Sequence, residues 1–148
     1  MIKTNIINDY NKTITFQSNK INHLVAFIFD SEHYKNGVIS VILSNREYLS
    51  NLKKIYFNLN QYTDVIAFNL EDNGDAIDGE IYISIDDVLE NAKLYSKTFN
   101  NEFKRVLIHG VLHLLGYEDK ENIDIKKMRR LEKKYLLNFD EEIIKFKC

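Results

Sequence analysis

The sequence predicts a single α+β domain in which helices pack a mixed sheet of about four strands, mostly parallel with one antiparallel. Three observations lead to this prediction. Short β-branched runs alternate with helical segments over the first half of the chain, and the second half has mostly helical periodicity. The 148 residues have the length of one ordinary domain, and no repeat or linker divides them. We therefore predict one domain that spans residues 1–148.

The first three elements follow from local patterns. Residues 12–17 (KTITFQ) alternate between polar and apolar and predict the first strand. Residues 18–34 repeat apolar side chains at helical spacing, with Ser18 as the predicted N-cap. Residues 37–44 (GVISVILS) form a β-branched apolar run, which is typical of a strand covered on both faces.

The next elements predict a parallel pair of strands and a hairpin. Ser44 and Glu47 form a capping-box pattern, and helical periodicity follows them. Residues 63–70 (TDVIAFNL) form the next strand, so the order strand–helix–strand predicts a βαβ unit with two parallel strands. Residues 71–78 form a polar turn, and residues 79–85 (GEIYISI) alternate as the returning strand of a hairpin.

The remaining sequence predicts helices to the end of the chain. Ser84 and Asp87 cap a helix that starts at about residue 86. The two asparagines at 100–101 separate it from the next helix, and a last helix begins at about residue 122.

Composition and charge exclude several classes of protein. The net charge is −2, so any surface for nucleic acid must be local. The single cysteine, Cys148, excludes an internal disulfide and favours a reducing compartment. The N-terminal residues lack the apolar region of a signal peptide, and no run approaches the roughly 18 apolar residues of a membrane span. We therefore expect a cytoplasmic protein with no membrane partner.

The stretch LIHGVLHLLGYED holds two of the four histidines of the chain. His109 and His113 are four residues apart, which on a helix places both imidazoles on one face. Gly116 is expected in the left-handed conformation that ends a helix and turns the chain back. Asp119 on the returning segment can then supply a third ligand.

This spacing predicts a catalytic zinc site. His109, His113 and Asp119 are ligand types that zinc prefers, and three protein ligands leave the fourth position for water or substrate. We expect one Zn²⁺ per chain, with these three residues acting catalytically through metal-activated water. The alternative is that both histidines are core or surface residues of an amphipathic helix.

Gly110 bears on the site in two ways. Glycine within a helix costs about 1 kcal/mol relative to alanine, so we expect another segment to approach the helix closely there. A zinc protease has a glutamate at this position, which acts as its general base. A zinc peptidase of the H-x₃-H-x₂-G-x₂-D type stays an alternative, but Gly110 leaves it without that base.

The motif and three further segments resemble the YbeY family, the metal-dependent endoribonucleases of ribosomal RNA maturation. HGVLHLLGY followed by an acidic turn is similar to the family pattern HGxLHLxGYDH. YTDVIAF (62–68) resembles the family's TDVLSF strand, GEIYIS (79–84) its GDIxIS strand, and KKMRRLEKKYL (126–136) its closing helix with M-x₃-E. The resemblance covers about residues 37–136. It implies a single-strand-specific endoribonuclease acting in ribosomal RNA maturation and ribosome quality control, with the ribosomal subunit as a further candidate partner.

The sequence departs from the family pattern at several positions. The third family histidine falls at Asp119, and the usual aspartate falls at Glu118. The TDVLSF serine is Ala67, and the arginine of a family Tyr-Arg pair is Phe57. The missing arginine keeps open a second alternative, a non-catalytic metal-binding factor of ribosome assembly. The oligomeric state stays open.

The last predicted helix concentrates positive charge. KKMRRLEKK (126–134) has six basic residues in nine, and Lys126, Arg130 and Lys133 share one helical face. Together with Arg105 they are the predicted substrate-binding residues, although a solvated helix face is the alternative for this run. Tyrosine and phenylalanine occur mostly at core spacing, so the sequence by itself indicates no base-stacking platform.

Overall fold

The computed structural model describes residues 1–11, 13–73 and 76–146. Its helices are α1 (Ser18–Ser31), α2 (Arg46–Phe57), α3 (Ile85–Leu94), α4 (Phe99–Leu114) and α5 (Asn122–Asn138). Its strands are β1 (Ile2–Asn8), β2 (Ile14–Phe16), β3 (Asn36–Ser44), β4 (Val65–Asn73), β5 (Ala76–Ser84) and β6 (Ile144–Phe146). Lys12 of the predicted first strand, residues 74–75 of the predicted turn, and Cys148 lie outside the described residues.

Four strands form a mixed sheet in the order β1-β3-β5-β4. Strands β1 and β5 each pair with β3 in parallel, and β4 pairs with β5 antiparallel. This arrangement confirms the predicted α+β class, with mostly parallel strands and one antiparallel strand. Strands β2 and β6 pair separately as a two-stranded antiparallel sheet.

The predicted parallel pairing of the strands on either side of α2 is wrong. Strands β3 and β4 flank α2 along the chain, but β5 lies between them in the sheet. Strand β5 is the parallel partner of β3, with Ile39 opposite Gly79, and β4 pairs antiparallel with the far side of β5. The right-handed crossover rule therefore applies to β3 and β5, and β4 forms an edge of the sheet.

The sequence prediction also misses two strands. Strand β1 alternates between half-buried and exposed residues, because it lies at the other edge of the sheet. The strand predicted at residues 12–17 is the short β2, which pairs with β6 and not with the main sheet. Strand β6 follows α5, which ends at Asn138, so the chain is not helical to its end.

The caps of the first two helices differ from the prediction. Helix α1 begins at Ser18 itself, and Gln17 in the N-cap position makes no capping hydrogen bond with its side chain. The cap of α2 is Asn45, whose side chain accepts a hydrogen bond from the backbone N–H of Tyr48. Ser44, the predicted cap, is the last residue of β3.

Helices α3 and α4 each begin after a residue whose side chain caps the first turn. Ser84 caps α3 as predicted, because its hydroxyl accepts a hydrogen bond from the backbone N–H of Asp87. Thr98 caps α4 in the same way, so residues 100–101 lie in the first turn of α4 and do not separate two helices.

Helix α4 is the central helix and packs against one face of β4 and β5, where it joins the main apolar core. Helix α2 covers the opposite face through a second, smaller apolar cluster of Leu49, Leu52 and Ile66. The predicted ligands His109 and His113 lie in the C-terminal half of α4, the helix with the most buried residues. Within the described part of the chain, no helix combines the length and apolar character needed to cross a membrane.

Candidate metal centre

The C-terminal end of α4 turns the chain back as the sequence predicts. Gly116 has a φ of 99°, which is the left-handed region that glycine adopts without strain. Its backbone N–H donates to the carbonyl of His113, and the N–H of Tyr117 donates to the carbonyl of Leu112, both at 3.0 Å. This pair of hydrogen bonds is the Schellman motif. It brings the segment containing Asp119 back over the last turn of the helix.

The predicted close approach at Gly110 is confirmed. A Cβ atom at this position would lie 2.8 Å from Cγ2 of Ile81 and 3.2 Å from Cγ2 of Val65. Both contacts come from the sheet, so Gly110 lets α4 lie directly on β4 and β5. A glutamate side chain at this position would meet the sheet and not the site, which argues against the peptidase alternative.

Three candidate ligand atoms meet at one point. The Nε2 atoms of His109 and His113 are 2.9 Å apart, and Oδ2 of Asp119 lies 3.2 Å and 3.5 Å from them. Neighbouring ligand atoms of a tetrahedral zinc with bonds of 2.0–2.1 Å are about 3.3 Å apart. The three separations are close to the edges of such a tetrahedron, so these residues could hold a zinc ion with its fourth position left for another ligand.

The hydrogen bonds behind the two imidazoles fix their orientation. Nδ1–H of His109 donates to Oε2 of Glu132 at 2.7 Å, and Nδ1–H of His113 donates to the backbone carbonyl of Tyr117 at 2.9 Å. With both protons on Nδ1, the two Nε2 lone pairs point at each other and at the Asp119 carboxylate. Such a convergence of ligand atoms could hold a metal ion, and outer hydrogen bonds of this kind are typical of metal-bound histidine.

The two histidines have opposite pKa shifts. Burial, the largest effect, lowers the pKa of His109, but the hydrogen bond and charge of Glu132, together with the charges of Asp119 and Asp64, raise it more, so that it lies above its ordinary value. Burial and the neighbouring His109 lower the pKa of His113. His113 therefore favours the neutral form that binds a metal, whereas His109 depends on Glu132 for both its orientation and its proton.

A set of buried carboxylates surrounds Arg105 beside the metal centre. The guanidinium pairs with Glu102 at 2.7 Å, with Glu132 at 3.3 Å and with Asp64 at 3.4 Å. Glu102 and Glu132 are almost fully buried, and the Arg105 side chain is 31% exposed. Burial raises the pKa of Asp64, and the charge of Arg105 opposes that rise. Arg105 thus neutralises carboxylates that burial would otherwise penalise.

An open cavity of about 680 Å³ contains the metal centre. Its walls come from the end of α2, the start of β4, and α4 with its return. The walls include Lys53, Phe57, Asp64, Ala67, Arg105, His109, His113, Glu118, Asp119 and Lys120. Of the predicted substrate-binding residues, Arg105 is thus part of the cavity wall. Lys126, Arg130 and Lys133 are exposed on α5, and among the described residues they are not part of this cavity wall.

Sequence reasoning did not assign three acidic residues that support the site. Glu132 is the glutamate of the M-x₃-E pattern and Asp64 is the aspartate of TDVIAF, so the family resemblance contained a signal for both. Glu32, at the end of α1, accepts hydrogen bonds from the hydroxyls of Tyr117 and Tyr135. It fixes the residue whose carbonyl orients His113, and no local pattern in the sequence marks it.

The fold and the site define a small α+β protein with a candidate three-ligand metal centre at the end of a helix. The family model described as endoribonuclease YbeY matches residues 5–140. The chain belongs to this family, as the motif predicts.

Individual relatives agree with this assignment. The endoribonuclease YbeY of Flavobacterium psychrophilum is 43% identical over 115 residues, which cover 78% of this chain and 81% of the relative. The endoribonuclease YbeY of Christiangramia forsetii is 41% identical, with 76% and 78% covered. The solution structure of TM1509 from Thermotoga maritima has a TM-score of 0.59 and 26% identity, and the match covers 95% of this chain and 92% of that one.

Proposed function

We propose that this chain is a zinc-dependent endoribonuclease that cleaves single-stranded RNA in ribosomal RNA maturation and ribosome quality control in the cytoplasm. The observation that carries the proposal is the convergence of His109, His113 and Asp119 in the wall of an open cavity. The family supports the reaction, since its members are named endoribonucleases.

In this proposal the residues of the cavity have separate roles in binding the metal and in orienting its ligands. A bound zinc supplies Lewis acidity and lowers the pKa of a coordinated water. His109, His113 and Asp119 hold the ion, while Glu132 and the Tyr117 carbonyl keep the two imidazoles in the ligand tautomer. The low dielectric of the half-buried site strengthens each of these interactions.

The basic residues supply phosphate contacts in this proposal. Arg105 faces the cavity with a partly exposed guanidinium, and its carboxylate partners hold it in place for the RNA backbone. Lys133 lines a neighbouring cavity with Arg105, and Lys126 and Arg130 extend the positive surface along α5. Such contacts position an RNA strand without reading its sequence.

A metal and cleavage assay tests the catalytic part. The wild-type protein should contain one zinc per chain and cleave a single-stranded oligoribonucleotide, and a chelator should stop cleavage until zinc is restored. Asp119→Asn should lose zinc and cleavage, because an uncharged amide is a poor zinc ligand, whereas Asp119→His should retain the metal. Glu118→Gln is the matched control, since its side chain lies beside the site.

Two outcomes of this assay would change the proposal. Full zinc and full activity in Asp119→Asn would remove Asp119 from the ligand set and make Glu118 the first replacement candidate. Zinc binding and RNA binding without any cleavage would favour the non-catalytic assembly factor, for which Phe57 in the cavity wall in place of the family's arginine is the supporting observation.

A salt titration tests the basic helix. The variant Lys126→Gln, Arg130→Gln, Lys133→Gln should bind RNA more weakly, and the slope of log affinity against log salt should fall by roughly 0.7 for each lost contact to a single strand. An unchanged slope would show that Lys126, Arg130 and Lys133 form a solvated helix face and do not contact the RNA. Lys3→Gln on β1 is a control for the loss of one exposed positive charge.

A further inference from the structure

A row of aromatic side chains that the sequence did not indicate lies beside the metal cavity. It consists of Tyr48, Tyr56 and Phe57 from α2, Phe68 from β4 and Tyr82 from β5, and we call it the aromatic row. Tyr82 is opposite Ile66 in the β4–β5 pairing, so the strand residues of the row share the face that α2 covers.

The rings form one continuous series of contacts. Phe57 stacks on Phe68 with centroids 5.7 Å apart and an interplanar angle of 18°. Tyr56 and Tyr82 meet the same Phe68 ring edge-on at 5.3 Å and 5.8 Å, and Tyr48 follows Tyr82 at 5.9 Å. Because each ring holds its neighbour, the side chains are ordered before any ligand arrives.

The outer rings are exposed although apolar packing lies beneath them. Tyr56 is 65% exposed, Tyr48 is 45% exposed and Phe57 is 43% exposed. The contact between α2 and the sheet is made by the buried residues Leu49, Leu52 and Ile66 below the row. The outer rings therefore present flat apolar surface to solvent that the core does not require.

The row leads directly to the metal centre. Phe57 lines the same cavity as His109 and His113. The ammonium of Lys53 lies over the Phe57 ring, 4.8 Å from its centre, and Lys53 also lines this cavity, so a base that stacks on Phe57 would take the place of this ammonium. A cation beside exposed rings is the combination that proteins use to hold a single-stranded nucleic acid, with bases on the rings and phosphates on the cation.

We propose that the aromatic row is a stacking platform for unpaired bases that flank the cleaved phosphodiester. This inference rests on the proposed function and adds its substrate-recognition element. The bases of a duplex are stacked on one another and present only their edges, so a platform of this kind selects single strands. Lys53 gives the surface the charge that suits a phosphate backbone, whereas a purely apolar protein partner would gain nothing from it.

The test separates the effect of losing an aromatic ring from the effect of losing exposed apolar area. Zinc-loaded protein is titrated with a phosphorothioate-linked single-stranded oligoribonucleotide that resists cleavage and carries 2-aminopurine, and with a matched strand whose bases are removed. Tyr56→Leu and Phe57→Leu keep apolar bulk but remove the π face, and Tyr56→Trp and Phe57→Trp keep a ring. Ile55→Ala on the same helix, 72% exposed, is the matched control.

The platform predicts a base-dependent loss. Each leucine variant should raise Kd for the base-containing strand by about 5- to 100-fold, as expected for one lost base–aromatic contact, and should reduce the quenching of 2-aminopurine. Neither should change Kd for the abasic strand. The tryptophan variants and Ile55→Ala should bind both strands like wild type.

Other outcomes overturn the proposal and are distinguishable. Wild-type affinity in both leucine variants would reject the platform while leaving the endoribonuclease intact. An equal loss for the abasic strand would assign the effect to backbone contacts or folding. If the wild-type protein binds no single-stranded RNA, both the proposed function and the platform fail.

Discussion

Glu132 connects the two charged networks of the site at the level of single residues. One of its oxygens accepts from His109, and the other pairs with Arg105 at 3.3 Å. Its side chain is only 7% exposed, so both contacts are made away from solvent screening. A single carboxylate therefore orients a candidate metal ligand and pairs with a cation of the cavity wall.

Replacing this carboxylate should weaken metal binding without removing a ligand. We expect Glu132→Gln to lower zinc affinity by about 10- to 100-fold, because the amide is a weaker acceptor for Nδ1–H of His109. Competition with a chromophoric chelator measures the change. Glu121→Gln, an exposed residue just before α5, should bind zinc like wild type. Equal affinity in Glu132→Gln would mean that His109 is oriented by packing alone.

The ligands and their support differ in how far the sequence reveals them. His109, His113 and Asp119 come from one helix and its return, so spacing alone brings them together. Glu132 and Glu32 reach the same site from other helices, and only the tertiary packing places them there. Local periodicity carries no information on such contacts.

At the level of elements, the helices follow largely from local sequence patterns, whereas the order of the strands in the sheet does not. The body and the C-terminal end of α4 were predictable because its periodicity and terminal glycine are local, but its start after the Thr98 cap was not predicted. The position of β5 between β3 and β4 was not, because adjacent strands in sequence need not be neighbours in a sheet. The aromatic row was missed for a related reason: Tyr56 and Phe68 belong to different elements, and only the packing of α2 against β4 brings their rings together.

The contact between α4 and the sheet gives a test of this element. Gly110→Ala should gain about 1 kcal/mol in helix propensity but lose about 1–3 kcal/mol through overpacking against Ile81, so we expect a net loss of unfolding free energy. Urea denaturation measures it. Combining Gly110→Ala with Ile81→Ala removes the obstructing Cγ2 atom, so the double variant should lose less than the sum of the single losses. Strict additivity would contradict a direct contact.

At the level of the whole molecule, tyrosine–carboxylate pairs join elements that are far apart along the chain. Glu32 at the end of α1 accepts from Tyr117 beside the metal centre and from Tyr135 on α5. Tyr10 after β1 donates to Asp86 at the start of α3 at 2.7 Å. These pairs stabilise the packing around the sheet, and they also make the stability of the fold depend on pH.

The pKa values of Tyr117 and Tyr135 are both raised. The hydrogen bond to Glu32, together with burial, raises the pKa of Tyr117 to about 12, and burial followed by the bond to Glu32 raises the pKa of Tyr135. An unfolded tyrosine titrates near about 10. Between these values the unfolded chain binds fewer protons than the folded one, so the unfolding free energy must fall as pH rises. The contribution is complete below about pH 10 and is lost as pH approaches about 12.

Removing the shared carboxylate should therefore change both the level and the slope of stability. We expect Glu32→Gln to lower the unfolding free energy by about 1–3 kcal/mol at pH 8, because both tyrosine hydroxyls lose a charged acceptor and one of them loses its acceptor oxygen. Its stability should then fall less steeply than that of wild type between about pH 10 and pH 11, because Tyr117 and Tyr135 no longer carry the shift due to Glu32. Urea denaturation across this range measures both quantities. Asp30→Asn removes the same charge from an exposed position on α1, so it should keep the wild-type slope; a Glu32→Gln slope equal to that of wild type would show that the two tyrosines are shifted by burial alone.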